Sequence, residues 1–137
     1  GGMRELGYGG LPVETLIRLR DHGVTTDYVR TLARYDVRGV PADELVRMRD
    51  HGVSPEFVGA LGAQGFGRFD TGEMTRLREH GVTADYLRDL RALGYSDLTA
   101  DEIVRLRSHG VTGDFIRRAN SGSRRSAEEL VRLRIGG

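Results

Sequence analysis

Apolar residues along this chain fall in short clusters of recurring shape, not in one long periodic run. One cluster is Tyr28, Val29 and Leu32, which returns as Phe57, Val58 and Leu61 and again as Tyr86, Leu87 and Leu90. Its i, i+1, i+4 spacing places three side chains on one face of an α-helix. A second cluster, Leu16, Ile17 and Leu19, returns as Leu45, Val46 and Met48 and as Ile103, Val104 and Leu106. The polar positions between clusters carry helix punctuation. Thr25, Ser54, Thr83 and Thr112 stand as N-caps, each with an acidic residue two places on (Asp27, Glu56, Asp85, Asp114) that suits the positive end of the helix dipole. Helices of this kind, here called Thr-type, stop at Gly65 or Gly94, with Asp36 a weaker stop in the first unit. Helices of the second kind, here called RLR-type, begin at capping boxes (Asp70 with Glu73, Thr99 with Glu102, Ser126 with Glu129) or after Pro12 and Pro41. They end in His-Gly-Val, where Gly23, Gly52, Gly81 and Gly110 supply the turn and the valine folds back.

The two clusters alternate with a fixed step. His22, His51, His80 and His109 are each 29 positions apart, inside the phrases RLRDHGV, RMRDHGV, RLREHGV and RLRSHGV, and a truncated RLRIGG closes the chain. Tyr8, Val37, Phe66 and Tyr95 keep the same step. Such self-similarity predicts an all-α, tandem two-helix repeat solenoid with a 29-residue period and about four repeats. The array spans 3–134, with units at about 9–37, 38–66, 67–95 and 96–122 and a partial unit at 123–134. Residues 1–2 and 136–137 read as cloning remnants. Residues 3–8 match the tail of a Thr-type helix, and the last RLR-type helix is expected to end at Arg134. With both ends cut in this way, the chain reads as an excerpt from a longer array or a designed copy of one. Helices of about 10–12 residues are marginal alone, so an isolated unit is not expected to fold. Segment 120–126, two residues shorter than its counterparts, reads as the most flexible point, and Gly59 and Gly62 make the helix at 54–64 the weakest by propensity.

Composition narrows the picture further. An apolar share of 38% with few aromatics suits a thin core spread along stacked helices. No apolar run approaches membrane-spanning length, and no signal peptide is expected from the N-terminal residues, which lack a basic stretch followed by an apolar one. Cysteine is absent, which removes disulfides, thiolate metal sites and thiol nucleophiles, and is compatible with a cytoplasmic location. The formal charge is +1, yet all 21 basic residues are arginine. Arginine forks favour phosphate and carboxylate, although a GC-rich coding sequence produces the same bias.

Candidate chemistry is sparse. Histidines one unit apart cannot share an ion with ~2 Å bonds when helices pack ~8–10 Å apart. They read as structural caps, bonding free carbonyls at the negative helix end, with Gly23, Gly52, Gly81 and Gly110 beside them. No metal or cofactor is expected, and no nucleophile, base and carboxylate set or phosphate loop recurs, so an enzyme finds no support. At ~100° per residue, Arg20, Arg49, Arg78 and Arg107 fall on the packed side, expected to reach carboxylates such as Asp27, Glu56, Asp85 and Asp114. Arg18, Arg47, Arg76 and Arg105 fall on the opposite side as an exposed row, a candidate interaction surface. Acids four residues earlier (Glu14, Asp43, Asp101) are expected to blunt that row.

The phrases LTADEIVRLRSHGVTGDF and GVTADYLRDLRALGYSDLTADEIVRLRSHGV resemble tandem helical repeats of bacterial proteins, often appended to antibiotic-sensor-like membrane metallopeptidases. The resemblance covers about residues 3–134 and implies a helical accessory region for protein contacts. The peptidase's H-E-x-x-H motif and membrane helices are absent, so no peptidase activity carries over. The expected function is therefore a non-enzymatic scaffold for a protein or peptide, with the positions that vary between units as candidates for recognition. These are Asp21, Asp50, Glu79 and Ser108; Thr26, Pro55, Ala84 and Gly113; and the turn pairs Gly9-Gly10, Arg38-Gly39, Gly67-Arg68 and Ser96-Asp97. Nucleic-acid binding along the arginine row is the alternative, against which stand the near-zero charge and the lack of an exposed stacking aromatic. End-to-end self-association is a third, since two cut ends would expose apolar faces.

Overall fold

The computed structural model describes residues 2–66 and 69–136. Among them the chain forms a π-helical turn (Arg4–Tyr8) and nine α-helices, with no strand. The RLR-type helices are α1 (Val13–Asp21), α3 (Ala42–Asp50), α5 (Thr71–Glu79), α7 (Ala100–Ser108) and α9 (Ala127–Gly136). The Thr-type helices are α2 (Thr26–Arg34), α4 (Pro55–Ala63), α6 (Ala84–Ala92) and α8 (Gly113–Ala119). Each packs on the next of its own type, so α1, α3, α5, α7 and α9 form one row and the π-turn, α2, α4, α6 and α8 form the other. The chain is an all-helical repeat array.

Local chemistry sets the helix limits. Thr25, Ser54, Thr83 and Thr112 each accept a hydrogen bond from the amide three residues on, at 3.1 Å. Asp70 with Glu73 and Thr99 with Glu102 form reciprocal capping boxes. Ser126 and Glu129 make the same pair of bonds, and the donated amide of Ser126 holds the Glu129 carboxyl below its ordinary range. Thr-type helices close with Val37, Phe66 and Tyr95 bonding back to the carbonyls of Leu32, Leu61 and Leu90. The residue before each closure is left-handed: Asp36 (φ 66°), Gly65 (75°) and Gly94 (90°), and Gly7 keeps the register in the N-terminal turn (94°).

Two local expectations change. The last helix continues through Gly136 rather than ending at Arg134. Gly62 is not merely a weak helix former. A Cβ there would run into the ring of Tyr35, which lies across α4, so the position trades propensity for a close approach. Segment 120–126 is braced by Asn120, whose side chain donates to the Tyr95 hydroxyl (2.9 Å) and accepts from the Arg125 amide (3.1 Å).

The core runs the length of the array between the two rows, with Leu45, Met48, Leu77, Leu87, Leu90, Ile103 and Leu106 fully or almost fully enclosed. Among the described residues, one enclosed side-chain group lacks a partner. Thr75 is 2% exposed, and its hydroxyl makes no hydrogen bond. The equivalent positions carry Val46, Val104 and Val131, all buried. Thr75→Val should therefore stabilise the array by about 1–2 kcal/mol. Urea unfolding should show a higher midpoint at unchanged slope, and a lower midpoint would show that the hydroxyl is satisfied.

Candidate interaction surface

Every complete RLR-type helix ends alike. His22, His51, His80 and His109 are the C-cap residues of α1, α3, α5 and α7. The next residues, Gly23, Gly52, Gly81 and Gly110, have φ between 71° and 82°. Val24, Val53, Val82 and Val111 then bond back to the carbonyls of Leu19, Met48, Leu77 and Leu106 at 2.8–3.0 Å. Backbone amides thus satisfy the carbonyls that were expected to engage the imidazoles. The imidazoles of His22 and His51 turn instead to the following unit. His22 Nδ1 lies 2.9 Å from the Asp50 carboxylate, and His51 Nδ1 lies 3.5 Å from that of Glu79. Ser108 occupies the corresponding place opposite His80.

Arg49, Arg78 and Arg107 reach backwards across the unit boundary. Their Nε atoms donate to the carbonyls of Gly23 (3.3 Å), Gly52 (2.8 Å) and Gly81 (3.0 Å). Their guanidinium groups lie 5.3–5.5 Å from the ring centres of Tyr28, Phe57 and Tyr86, a cation–π geometry. The expected carboxylate partners are engaged elsewhere: Asp27 by Arg30, Asp85 by Arg88 and Asp114 by Arg117, all within their own helices, and Glu56 by Arg88 at 3.8 Å. The correction has a simple cause. An αL glycine leaves its carbonyl open, and without a Cβ it lets the arginine stem close in, since a Cβ on Gly23 or Gly52 would meet guanidinium nitrogen at 3.2 Å.

The aromatic under each arginine does a second job. The Tyr28 hydroxyl donates to the Val53 carbonyl and that of Tyr86 to the Val111 carbonyl, both at 2.6 Å and both 25 residues ahead. Phe57 has no hydroxyl, and Arg78 fills the gap by donating Nη1 to the Val82 carbonyl at 2.6 Å. Tyr8 and Tyr95 make similar forward bonds to the carbonyls of Val40 (2.7 Å) and Arg125. Periodicity alone marks these tyrosines as core. Their alternation with phenylalanine at one position was the available hint of a polar role.

The candidate row is only partly free. Arg18 pairs with Asp43, Arg76 with Asp101, and Arg105 with Glu128 at 3.4 Å. These acids belong to the next unit, not to the same helix four residues earlier as expected. Arg47 makes no ion pair among the described residues, because Gly72 stands where the acid would be. The four arginines thus act mostly as cross-unit links.

A different face is open. Three adjoining cavities, of about 520, 550 and 420 Å³, follow the edge where Thr-type helices turn into RLR-type ones. Phe69 lines all three, with Tyr35, Val37 and Leu61 at one end and Phe66 and Leu98 at the other. Val37 is the smallest of the Tyr8, Val37, Phe66, Tyr95 series and borders the two larger cavities. The varying turn residues Arg38, Gly39 and Asp97 also line this edge, whereas Gly67 and Arg68 lie outside the described residues. Gly113, by contrast, is buried, and Asp50 and Glu79 are held by histidines. Among the described residues no three acidic or histidine side chains gather as metal ligands. No described helix is long and apolar enough to cross a membrane.

No family model, curated protein or solved structure gives a significant match to the chain.

Removing the guanidinium should cost most at Arg78, because it alone of the three serves two carbonyls. Arg78→Met is expected to lose about 1–3 kcal/mol more than Arg49→Met or Arg107→Met, and Phe57→Tyr should recover part of the loss. Equal losses in chemical denaturation would contradict the shared-carbonyl account.

Burial pushes the Tyr28 hydroxyl up from its ordinary 10 to about 12, against the opposing pull of Arg49, and raises Tyr86 likewise. The unfolded chain ionises first, so this stabilisation is complete below pH 10 and is lost as pH rises toward 12. Denaturation midpoints should fall through that window, and Tyr28→Phe should lower stability below it while flattening the fall. A variant with the parent's pH profile would contradict the assignment.

Proposed function

We propose that the chain is a non-enzymatic helical-repeat scaffold that binds an extended peptide segment of a partner protein along the turn edge. The observation that carries this reading is the run of adjoining cavities over Tyr35, Val37, Leu61, Phe66 and Phe69, lined by turn residues that differ between units. Residues that recur hold one unit to the next, so a ligand contacting them would compete with the fold. Of the varying turn residues on this edge, Arg38 and Gly39 make no cross-unit bond among the described residues, whereas Asp97 pairs with Arg124 at 3.5 Å. An apolar floor with polar rims suits side chains spaced along an extended segment. A bacterial origin, as an accessory region for protein contacts, belongs to the same proposal and rests on the repeat phrases alone.

The nucleic-acid reading requires a free row of cations tracking phosphates. Three of the four row arginines already face carboxylates, which reduces the field such a row offers.

Selection of random peptides against the array tests the proposal. An enriched consensus with apolar residues at regular spacing is expected, and Val37→Trp, which fills the gap, should weaken the selected peptide roughly tenfold or more. Anisotropy titrations would measure this. Failure to enrich any consensus, or unchanged affinity for the filled variant, would overturn it.

A further inference from the structure

A left-handed glycine at a helix end leaves its carbonyl open, and an arginine from the following unit answers it. After the RLR-type helices these are Arg49, Arg78 and Arg107. On the turn edge, after α6, Arg124 does the same. Its guanidinium lies 4.2 Å from the centre of the Tyr95 ring, donates to the Gly94 carbonyl at 3.0 Å and pairs with Asp97 at 3.5 Å. Arg124 stands two residues before Ser126, whose side chain caps α9.

One unit earlier the same frame carries the opposite charge. Gly65 is left-handed and Phe66 follows it, as Gly94 and Tyr95 do. Two residues before the N-cap Thr99, however, stands Asp97 in place of an arginine. Among the described residues no side chain donates to the Gly65 carbonyl, and no guanidinium lies over Phe66. Arg91 comes near, but it bonds to the Ala63 carbonyl at 3.5 Å and lines none of the three turn-edge cavities. The cavity of about 420 Å³ opens here, lined by Gly65, Phe69, Glu73 and Asp97. Phe66 is buried and Phe69 is partly exposed, so Phe69 is the ring that the cavity offers. Arg34 lines the first cavity and Arg38 the second, whereas no described basic residue lines this one.

We infer that this cavity binds a guanidinium, that of an arginine in the partner's extended segment; the choice of occupant rests on the peptide-binding reading above. Ring, carbonyl and carboxylates together are what Arg124 meets at Tyr95, Gly94 and Asp97. The Asp97 side chain stays 79% exposed beside Arg124. Glu73 spends one oxygen on the Asp70 amide, at 3.0 Å, and has a second. A planar fork can face a carboxylate, donate to a carbonyl and lie over a ring at once, which a lysine ammonium does less well. Two carboxylates turn an anion away. The start of α7 beside the cavity does not oppose the cation, since Arg124 occupies the matching place before α9.

The probe is Nα-acetylarginine amide, titrated into the isotope-labelled chain and followed by NMR. It should bind saturably at about millimolar strength, with the largest amide shifts at Gly65, Phe66, Asp97 and Leu98. Nα-acetylcitrulline amide, its uncharged isostere, should leave those amides unmoved, and Nα-acetyllysine amide should bind several-fold more weakly than the arginine probe. Asp97→Asn should weaken the arginine probe about two- to fivefold. Phe69→Leu should do the same, and leucine already stands at the matching Leu98. Asp97→Arg supplies the chain's own guanidinium, as at Arg124, and should abolish binding. No saturable shift, citrulline binding equal to arginine, or an Asp97→Arg chain that binds as the parent does would each overturn the inference. Peptide selection separates it from the reading it rests on. A consensus of apolar residues without arginine would overturn the guanidinium site alone, whereas probe binding without any peptide consensus would keep the site and remove the groove reading.

Discussion

An arginine that crosses the unit boundary, lies over an aromatic ring and donates to the carbonyl of a left-handed glycine sets the constraint on which the rest of the array depends. Arg49, Arg78 and Arg107 each make this contact with the unit before. It favours glycine for its positive φ in all three units and, at Gly23 and Gly52, also for the close approach of the guanidinium. The valine that follows closes the turn by bonding back to the helix. The glycine of the phrase thus recurs where a side chain from the next unit uses its carbonyl.

Other links lie on the same boundary. The tyrosine hydroxyls reach forward to valine carbonyls, the row arginines reach forward to acids, and histidines meet carboxylates. Each exposed ion pair is weak on its own. Their value is geometric, since together with the apolar stripe they admit one stagger between successive units. Where one member is missing, a neighbour substitutes or the link is absent: Arg78 serves Val82 beneath Phe57, and Arg47 faces Gly72.

Much of the fold is legible in the residues, because punctuation and stripe repeat together. The caps at Thr25, Ser54, Thr83 and Thr112 and the stops at Gly65 and Gly94 involve only neighbours in sequence, so local rules reach them. The partners of the arginines and histidines do not. Those contacts lie 23 to 28 residues away, where the stagger between units decides them, and a helical wheel carries no information about stagger. Hence local rules pair Arg18 with Glu14 on its own helix, whereas it faces Asp43, and they send Arg49 to a carboxylate, whereas it faces a glycine carbonyl. The groove was hidden for a related reason. Val37 borders the two larger cavities where other units carry an aromatic, and a gap of this kind shows only when the units are stacked.

If the boundaries hold the array, stability must grow with their number. Urea unfolding of the chain beside one carrying an additional copy of residues 38–66, and beside an isolated 29-residue unit, measures this directly. The account predicts an unfolded single unit, a folded parent, and a longer array with a higher midpoint and a steeper slope. A lone unit that folds, or an added unit that leaves midpoint and slope unchanged, would contradict it.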